Sequence, residues 1–254
     1  MKLYLAGIEH GTMTYIEDFD IKKKYLFLGS FYYFQPQYIK YINNNDFLLD
    51  SGAFTFMKQN SKTNVNWNEY LTKYINFINK YDIKLFFELD IDSIVGLEKV
   101  RKLRKRLEKE TGKKSIPVWH KNRGKENYIE LVKNYDYIAY GGFLTDGIST
   151  QKNIKYLPWF INKAKQNNCK VHLLGYTGKD LNKIDAYSAD STSWTLGNRY
   201  GVLYRFNGKK IEKIDKPPNT RINHRSMANH NFREWLKYQQ YLLKSSSQNP
   251  ANKK

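Results

Sequence analysis

The chain has 254 residues, with 43 lysines and arginines against 24 aspartates and glutamates, and a formal charge of +19. That length suits one domain and leaves little for a second folding unit. The charge favours a polyanionic partner, above all nucleic acid, over a merely solvated Lys-rich surface, and the single cysteine, Cys169, excludes an internal disulfide and a multi-thiolate zinc site.

Short apolar runs bounded by turn residues recur at 2–6, 25–28, 47–50, 83–90, 115–120, 137–141, 170–174 and 185–190. Between the later runs lie 67–80, 95–110, 125–134 and 155–167, where apolar residues return at three- and four-residue spacing. Eight strands alternating with helices predict a parallel sheet closed into a (β/α)8 TIM barrel over 1–222. The first two units are less regular, which keeps an open doubly wound sheet as the alternative. Segment 223–244 reads as a C-terminal helix packed on the barrel, its apolar face interrupted by Gln239, and 245–254 reads as a disordered tail. The basic stretch 98–114 is expected to be a solvated outer helix. No run reaches the roughly 18 apolar residues of a membrane span, and the N-terminal run is too short for a signal segment. A soluble cytoplasmic protein with no membrane partner is the expectation.

In such a barrel, functional groups come from the C-terminal ends of strands and the loops that follow. Alternation within 84–92 predicts Leu85, Phe87, Leu89 and Ile91 under the helices and Phe86, Glu88, Asp90 and Asp92 toward the mouth. Packing three carboxylates together is costly unless cations, ligand N–H groups or protein donors compensate them, which favours a functional over a purely structural role for at least one of them. Other strand ends carry Asp50 and Ser51, His120, Gly141 and Gly142, His172, and Asp190. Taken singly, these also fit bland roles: a turn at Asp50, a satisfied core histidine at His172, a tight turn at the glycine pair.

These motifs, in their order, resemble the tRNA-guanine transglycosylase superfamily, especially its short phage-type members that insert 7-deazaguanines into DNA. Asp50-Ser51-Gly52-Ala53-Phe54 is similar to the family's Asp-Ser-Gly-Gly-aromatic element, and Leu89-Asp90 to its base-reading aspartate. Tyr140-Gly141-Gly142-Phe143 resembles its glycine-pair loop, His172-Leu173-Leu174-Gly175 its His-x-(Leu/Met)-Gly strand, and 184–190 the strand bearing its nucleophile. The resemblance spans about residues 45–200. Two departures point from tRNA toward DNA: the Cys3His zinc site of the tRNA enzymes has no counterpart, and Trp119-His120 stand where those enzymes read the base with glutamine.

The resemblance implies a glycosyltransferase of the pentosyl type needing no metal or other cofactor. Asp190 would be the nucleophile that forms a covalent glycosyl-enzyme, and Asp50 the proton carrier. Asp90, or Asp92 if the register shifts, would accept the guanine N1–H and 2-amino group. Backbone at Gly141 and Gly142 would approach O6, with Ser51, His120 and His172 as further base contacts. Phe54, Phe143 and Trp194 would stack on a flipped base. Lys121, Arg123, Arg199 and Arg205 would hold phosphates. The implied partners are DNA, alternatively tRNA, a free 7-deazaguanine, and an accessory protein or a second copy of the chain; the compartment is the host cytoplasm if the chain is phage-encoded. Two readings of other classes remain open: a metal-dependent barrel hydrolase using Asp90, Asp92, His120, His172 and Asp190, and a non-catalytic nucleic-acid-binding barrel.

Overall fold

A computed structural model describes residues 1–9, 13, 25–44, 46–58, 65–142, 150–176, 181–215 and 222–247. Along the chain run β1 (Lys2–Ala6), β2 (Leu26–Ser30), α1 (Ile39–Asn44), β3 (Asp46–Asp50), α2 (Ala53–Lys58), α3 (Trp67–Lys80) and β4 (Leu85–Phe86). They are followed by α4 (Asp92–Val95), α5 (Leu97–Thr111), β5 (Val118–Trp119), α6 (Gly124–Asn134), β6 (Tyr137–Tyr140), α7 (Thr150–Lys165), β7 (Lys170–Leu173) and β8 (Ser188–Ser191). Beyond the barrel lie α8 (Leu196–Tyr200), β9 (Leu203–Phe206), β10 (Ile211–Ile214) and α9 (His224–Ser247).

The eight parallel strands are ordered β4-β3-β2-β1-β8-β7-β6-β5. The ends meet through a parallel bridge between Phe87 and Ile116, where Ile116 N–H donates to Phe86 O (2.8 Å) and Glu88 N–H to Ile116 O (3.1 Å). Those bonds join the two ends of the sheet, as the eight-run pattern predicts for a (β/α)8 barrel.

Helix boundaries follow local chemistry. Asn66 caps α3 by accepting from Glu69 N–H at 3.2 Å, and Gly112 ends α5 in the left-handed region at φ +66°. Leu71, Tyr74, Ile75 and Ile78 of α3 and Val100, Leu103 and Leu107 of α5 are buried in the layer between helices and sheet. Tyr4, Leu28, Leu48, Phe87, Val118 and Ala139 fill the barrel interior.

Three expectations need correction. β4 is two residues long rather than eight, and its alternation is inverted at the aromatic pair: Phe87 packs in the interior while Phe86 packs with Tyr74 of α3, ring centroids 6.4 Å apart. The C-terminal helix runs to Ser247, three residues into the segment read as a tail, whose residues 248–254 lie outside the described ones. Between barrel and helix stands an antiparallel hairpin, β9–β10, that the strand pattern did not predict.

Gln239, the polar break in the face of α9, is fully buried. Its amide donates to Leu3 O (2.8 Å) and Leu26 O (2.9 Å) and accepts from Leu26 N–H (3.2 Å). β1 and β2 pair only from Leu5↔Phe27 upward, so their lower ends leave backbone groups that this amide satisfies. Asn231 does the same for the hairpin, accepting from Tyr204 N–H and donating to Val202 O.

Candidate active site

The C-terminal strand ends carry two separate arrangements of acids. One is a closed ion-pair network. Arg123 donates to Glu88 (3.1 Å), Asp90 (2.8 Å) and Asp92 (3.0 Å), Arg104 donates to Glu88 (3.1 Å), and His120 Nε2 meets Asp90 Oδ2 at 2.6 Å. Three carboxylates thus face two guanidiniums and one imidazole. Burial opposes charge on His120, but Asp90 outweighs it and lifts the imidazole above its usual pKa. Asp92 is held below the carboxylate range because Arg123 overcomes its burial. With His120 protonated, the network is neutral.

That network revises several assignments. Glu88 is buried between arginines and Val118 N–H and does not line the mouth. Arg123, assigned above to phosphate, has a side chain only 2% exposed and is consumed by the acids. Both oxygens of Asp90 are engaged, one by Arg123 and one by His120. Asp90, Asp92 and His120 place ligand atoms within 4.8 Å of one another, a spacing a cation could use. Arg123 Nη2, however, lies 2.8 Å from Asp90 and 2.9 Å from Asp92, so these carboxylates already share an internal cation.

The second arrangement centres on Asp190 and Asp50. Asp190 Oδ1 accepts from Gly175 N–H (2.6 Å) and from His172 Nε2 (3.1 Å). Behind it, His172 Nδ1 meets Ser188 Oγ at 2.7 Å and Ser188 Oγ meets Tyr137 Oη at 2.6 Å. A carboxylate only accepts, so the neutral His172 carries its proton on Nε2; its Nδ1 then accepts a hydrogen bond from the Ser188 hydroxyl, which in turn accepts one from the Tyr137 hydroxyl. Both bonds to Asp190 fall on Oδ1, and among the described residues Oδ2 has none. His172, expected among the base contacts, is fully buried and its Nε2 is bonded to Asp190.

Asp50 ends β3, pairing in register with Ser30 at the end of β2. Its carboxyl is pushed up to about 7, chiefly by burial; the charges of Asp190 and Asp90 contribute to the rise, and the N–H groups of Gly52 and Ser51 oppose it. Gly52 is required here. At φ +76°, an added Cβ would stand 2.5 Å from Tyr32 Cβ and 2.9 Å from Ser30 Oγ. Ser51 is buried, and its carbonyl accepts from Tyr70 Oη at 2.6 Å.

The remaining assigned residues are dispersed. Gly141 N–H is spent on Trp119 O (2.9 Å), and a Cβ there would lie 2.8 Å from His120, so this glycine makes room for the imidazole and its N–H is not offered to a base. Gly142 has φ +88°. Trp194 is fully buried, donates to Ala6 O and packs against Phe232, so it does not stack on a base. Lys121 is exposed, with Nζ 5.8 Å from the Tyr156 ring, and Arg205 is exposed on β9. Phe143 and the side chains of Phe54 and Arg199 lie outside the described residues.

Residues that the sequence reading missed complete the mouth. Glu9, in the turn after β1, has a carboxyl pushed up to about 7 by burial, with Asp50 adding to the shift. Tyr32 and Tyr33 after β2, and Tyr200 in α8 after β8, are exposed aromatics near strand ends. No motif marks Glu9; only its place after a strand end could have singled it out.

The fold and site define a (β/α)8 barrel whose mouth holds one carboxylate oriented by a buried histidine chain and two carboxyls poised near neutrality. No protein-family model matches the chain, and no curated protein matches it.

Proposed function

We propose that the chain exchanges guanine for a 7-deazaguanine in nucleic acid, with DNA as the substrate class. The reading rests on the resemblance of its strand-end motifs, and the observation that carries it furthest is the contrast between Asp190 and Asp50. Two nearby carboxyl groups in unequal environments are what separate nucleophile and proton-carrier roles require. Asp190 has one oxygen fixed by His172 and Gly175, and among the described residues the other has no hydrogen-bond partner. Asp50 is half protonated near neutral pH.

In this mechanism Asp190 Oδ2 attacks C1′ as the C1′–N9 bond breaks. The bonding pair leaves on the base, which takes a proton from Asp50, and guanine departs. The Asp50 carboxylate then removes the N9 proton of the incoming base, N9 attacks C1′, and Asp190 is released. The acids at the mouth favour the positive charge that develops on the sugar. The exterior of a +19 chain favours the phosphates around it. Reaching C1′ requires a flipped or unpaired nucleotide, and Tyr32, Tyr33 and Tyr200 offer rings for stacking.

The decisive experiment incubates the protein with guanine-containing DNA or tRNA and a panel of 7-deazaguanines, followed by nucleoside mass analysis. Replacement of guanine in DNA supports the reading. Incorporation in tRNA alone changes the substrate class, and incorporation in neither rejects transglycosylation.

A further inference from the structure

The flank of the barrel outside the mouth carries two exposed rings beneath two lysines. α6 and α7 pack side by side there, tied by the Tyr128 hydroxyl, which donates to Phe160 O at 2.6 Å. On their outer side Tyr156 and Trp159 of α7 are 51% and 39% exposed. Spaced three residues apart, the two rings lie on one face of the helix. Lys121 Nζ stands 5.8 Å from the Tyr156 ring and Lys125 Nζ 4.8 Å from the Trp159 ring. Among the described residues, neither ammonium meets a carboxylate.

The charge around the rings is one-sided. Lys155 and Lys163 stand one helical turn before and after Trp159, and α7 contains no acid from Thr150 to Lys165. The acids of α6, Glu126 and Glu130, share a face at four-residue spacing, and Glu130 turns that face toward α5 by pairing with Arg101 at 2.7 Å. Two copies of the lysine face would oppose like charges across a two-fold axis, which disfavours self-association. A membrane surface fits poorly as well. Among the described residues the one exposed large aliphatic side chain is Ile94, on α4, so the patch has no aliphatic anchor for an acyl layer.

Rings interleaved with ammoniums that no acid neutralises suit an unpaired nucleic-acid strand: its bases stack on the rings, and its phosphates take the ammoniums. A duplex hides its base faces and gains from the charge alone. α6 and α7 both begin where strands end, and Lys121 directly follows His120 of the ion-pair network, so the patch lies on the rim outside the reacting centre. We propose that Tyr156 and Trp159, with Lys121, Lys125, Lys155 and Lys163, form an exosite that holds single-stranded nucleic acid beside the mouth without reading its sequence. The exosite needs no guanine and does not rest on the transglycosylase reading.

The test is fluorescence anisotropy of the full chain with end-labelled oligothymidylate, single-stranded or annealed to oligoadenylate, across a salt series. The strand contains no guanine, so its binding is read apart from base exchange. Wild-type protein is expected to bind the single strand about tenfold or more tighter than the duplex. Tyr156→Ala with Trp159→Ala should erase most of that preference, weakening the single strand about tenfold or more with its salt slope unchanged, because stacking releases no counterions. Lys121→Ala with Lys125→Ala should instead lower the single-strand slope by about 1.4, the share of two phosphates. Tyr156→Phe with Trp159→Phe keeps both rings and should retain affinity within about threefold. The Trp159 ring also packs on Tyr128 and Phe160, so if Trp159→Ala fails to fold, Tyr156→Ala against Tyr156→Phe decides the matter. Equal affinity of the ring-free variant and the wild type overturns the exosite. So does a loss in that variant of binding to phosphatidylserine vesicles but not to oligothymidylate, which would make the occupant a membrane. Absence of base exchange in wild-type protein alongside ring-dependent strand binding rejects transglycosylation and leaves the exosite standing.

Discussion

His172 and Asp190 meet inside the barrel, Nε2 to Oδ1 at 3.1 Å, and the imidazole is tied from behind by Ser188 at 2.7 Å. The carboxylate of Asp190 fixes the tautomer of His172, and Ser188 holds the ring in place behind it. Ser188→Ala removes the bridge and leaves both Tyr137 and His172 short of a partner. It is expected to destabilise the fold by about 1–3 kcal/mol and to lower kcat about tenfold or more with little change in KM, because only the orientation of the attacking oxygen suffers. Chemical denaturation and steady-state exchange kinetics check this. A change confined to KM would place the chain in substrate binding instead.

Asp50 couples chemistry to stability through pH. Its folded pKa of about 7 lies above the ordinary 3.8, so the folded chain holds the proton more tightly than the unfolded chain does. Its favourable share is full below the unfolded value and is lost as pH rises through about 7. Asp50→Asn keeps an acceptor for Gly52 N–H and carries no charge. The variant should match wild-type stability near pH 4 and exceed it near pH 8, by at most about 4 kcal/mol. Urea unfolding across that range measures the difference, and a pH-independent offset would refute the linkage. The same titration gives wild-type exchange a fall in rate above about pH 7, where Asp50 no longer donates a proton.

Much of this was legible in the sequence because the signals are local. Eight apolar runs bounded by turns, with helices at 3.6-residue spacing between them, predict the barrel and the strand ends at Asp50, His120, His172 and Asp190. The failures are non-local. Phe86 and Phe87 are both aromatic, so composition does not reveal which faces inward, and two residues of regular strand are too few for alternation to hold. Arg123 reads as a surface cation until its acids, 31 to 35 residues away, are seen around it. Glu9 lies in a turn with no motif, and only burial beside Asp50 marks it.

Arg123 and Lys121 should separate cleanly in experiment, although both follow the same strand. Arg123→Ala removes the one cation that Glu88, Asp90 and Asp92 share, leaving only Arg104 and His120 beside them, and is expected to cost about 3–5 kcal/mol of stability. Lys121→Ala should leave stability nearly unchanged and weaken DNA binding uniformly across sequences, lowering the slope of log K against log salt by about one. Equal thermal stability of the two variants would show that the buried network contributes less than its geometry indicates.

Gln239 joins α9 to the barrel through three backbone bonds at the open lower end of β1 and β2. Gln239→Leu repairs the apolar face of the helix yet strands two carbonyls and one N–H group. A loss of about 2–4 kcal/mol is expected, since unmet buried backbone groups outweigh the gain from one added apolar side chain. A stabilised variant in thermal denaturation would show that water replaces the amide at no cost.

The nucleophile assignment separates most sharply from the proton-carrier assignment in an adduct assay. Among the described residues Asp190 has two donors on Oδ1 and none on Oδ2, which makes Oδ2 the oxygen that the proposed mechanism sends to C1′. Asp190→Asn replaces one oxygen with an amide nitrogen that cannot hold the sugar, while nearly preserving size. It should abolish both exchange and the denaturant-resistant complex with DNA, yet leave DNA affinity within about threefold, because phosphates are held elsewhere. Asp50→Asn removes the proton donor instead. It should slow turnover far more than it weakens binding, and a substrate whose departing base needs less protonation should recover part of the rate. Denaturing gels of each variant with labelled DNA read the outcome. An adduct that survives Asp190→Asn but disappears in Asp50→Asn would exchange the two roles, and an adduct in both variants would show that neither carboxylate carries the sugar.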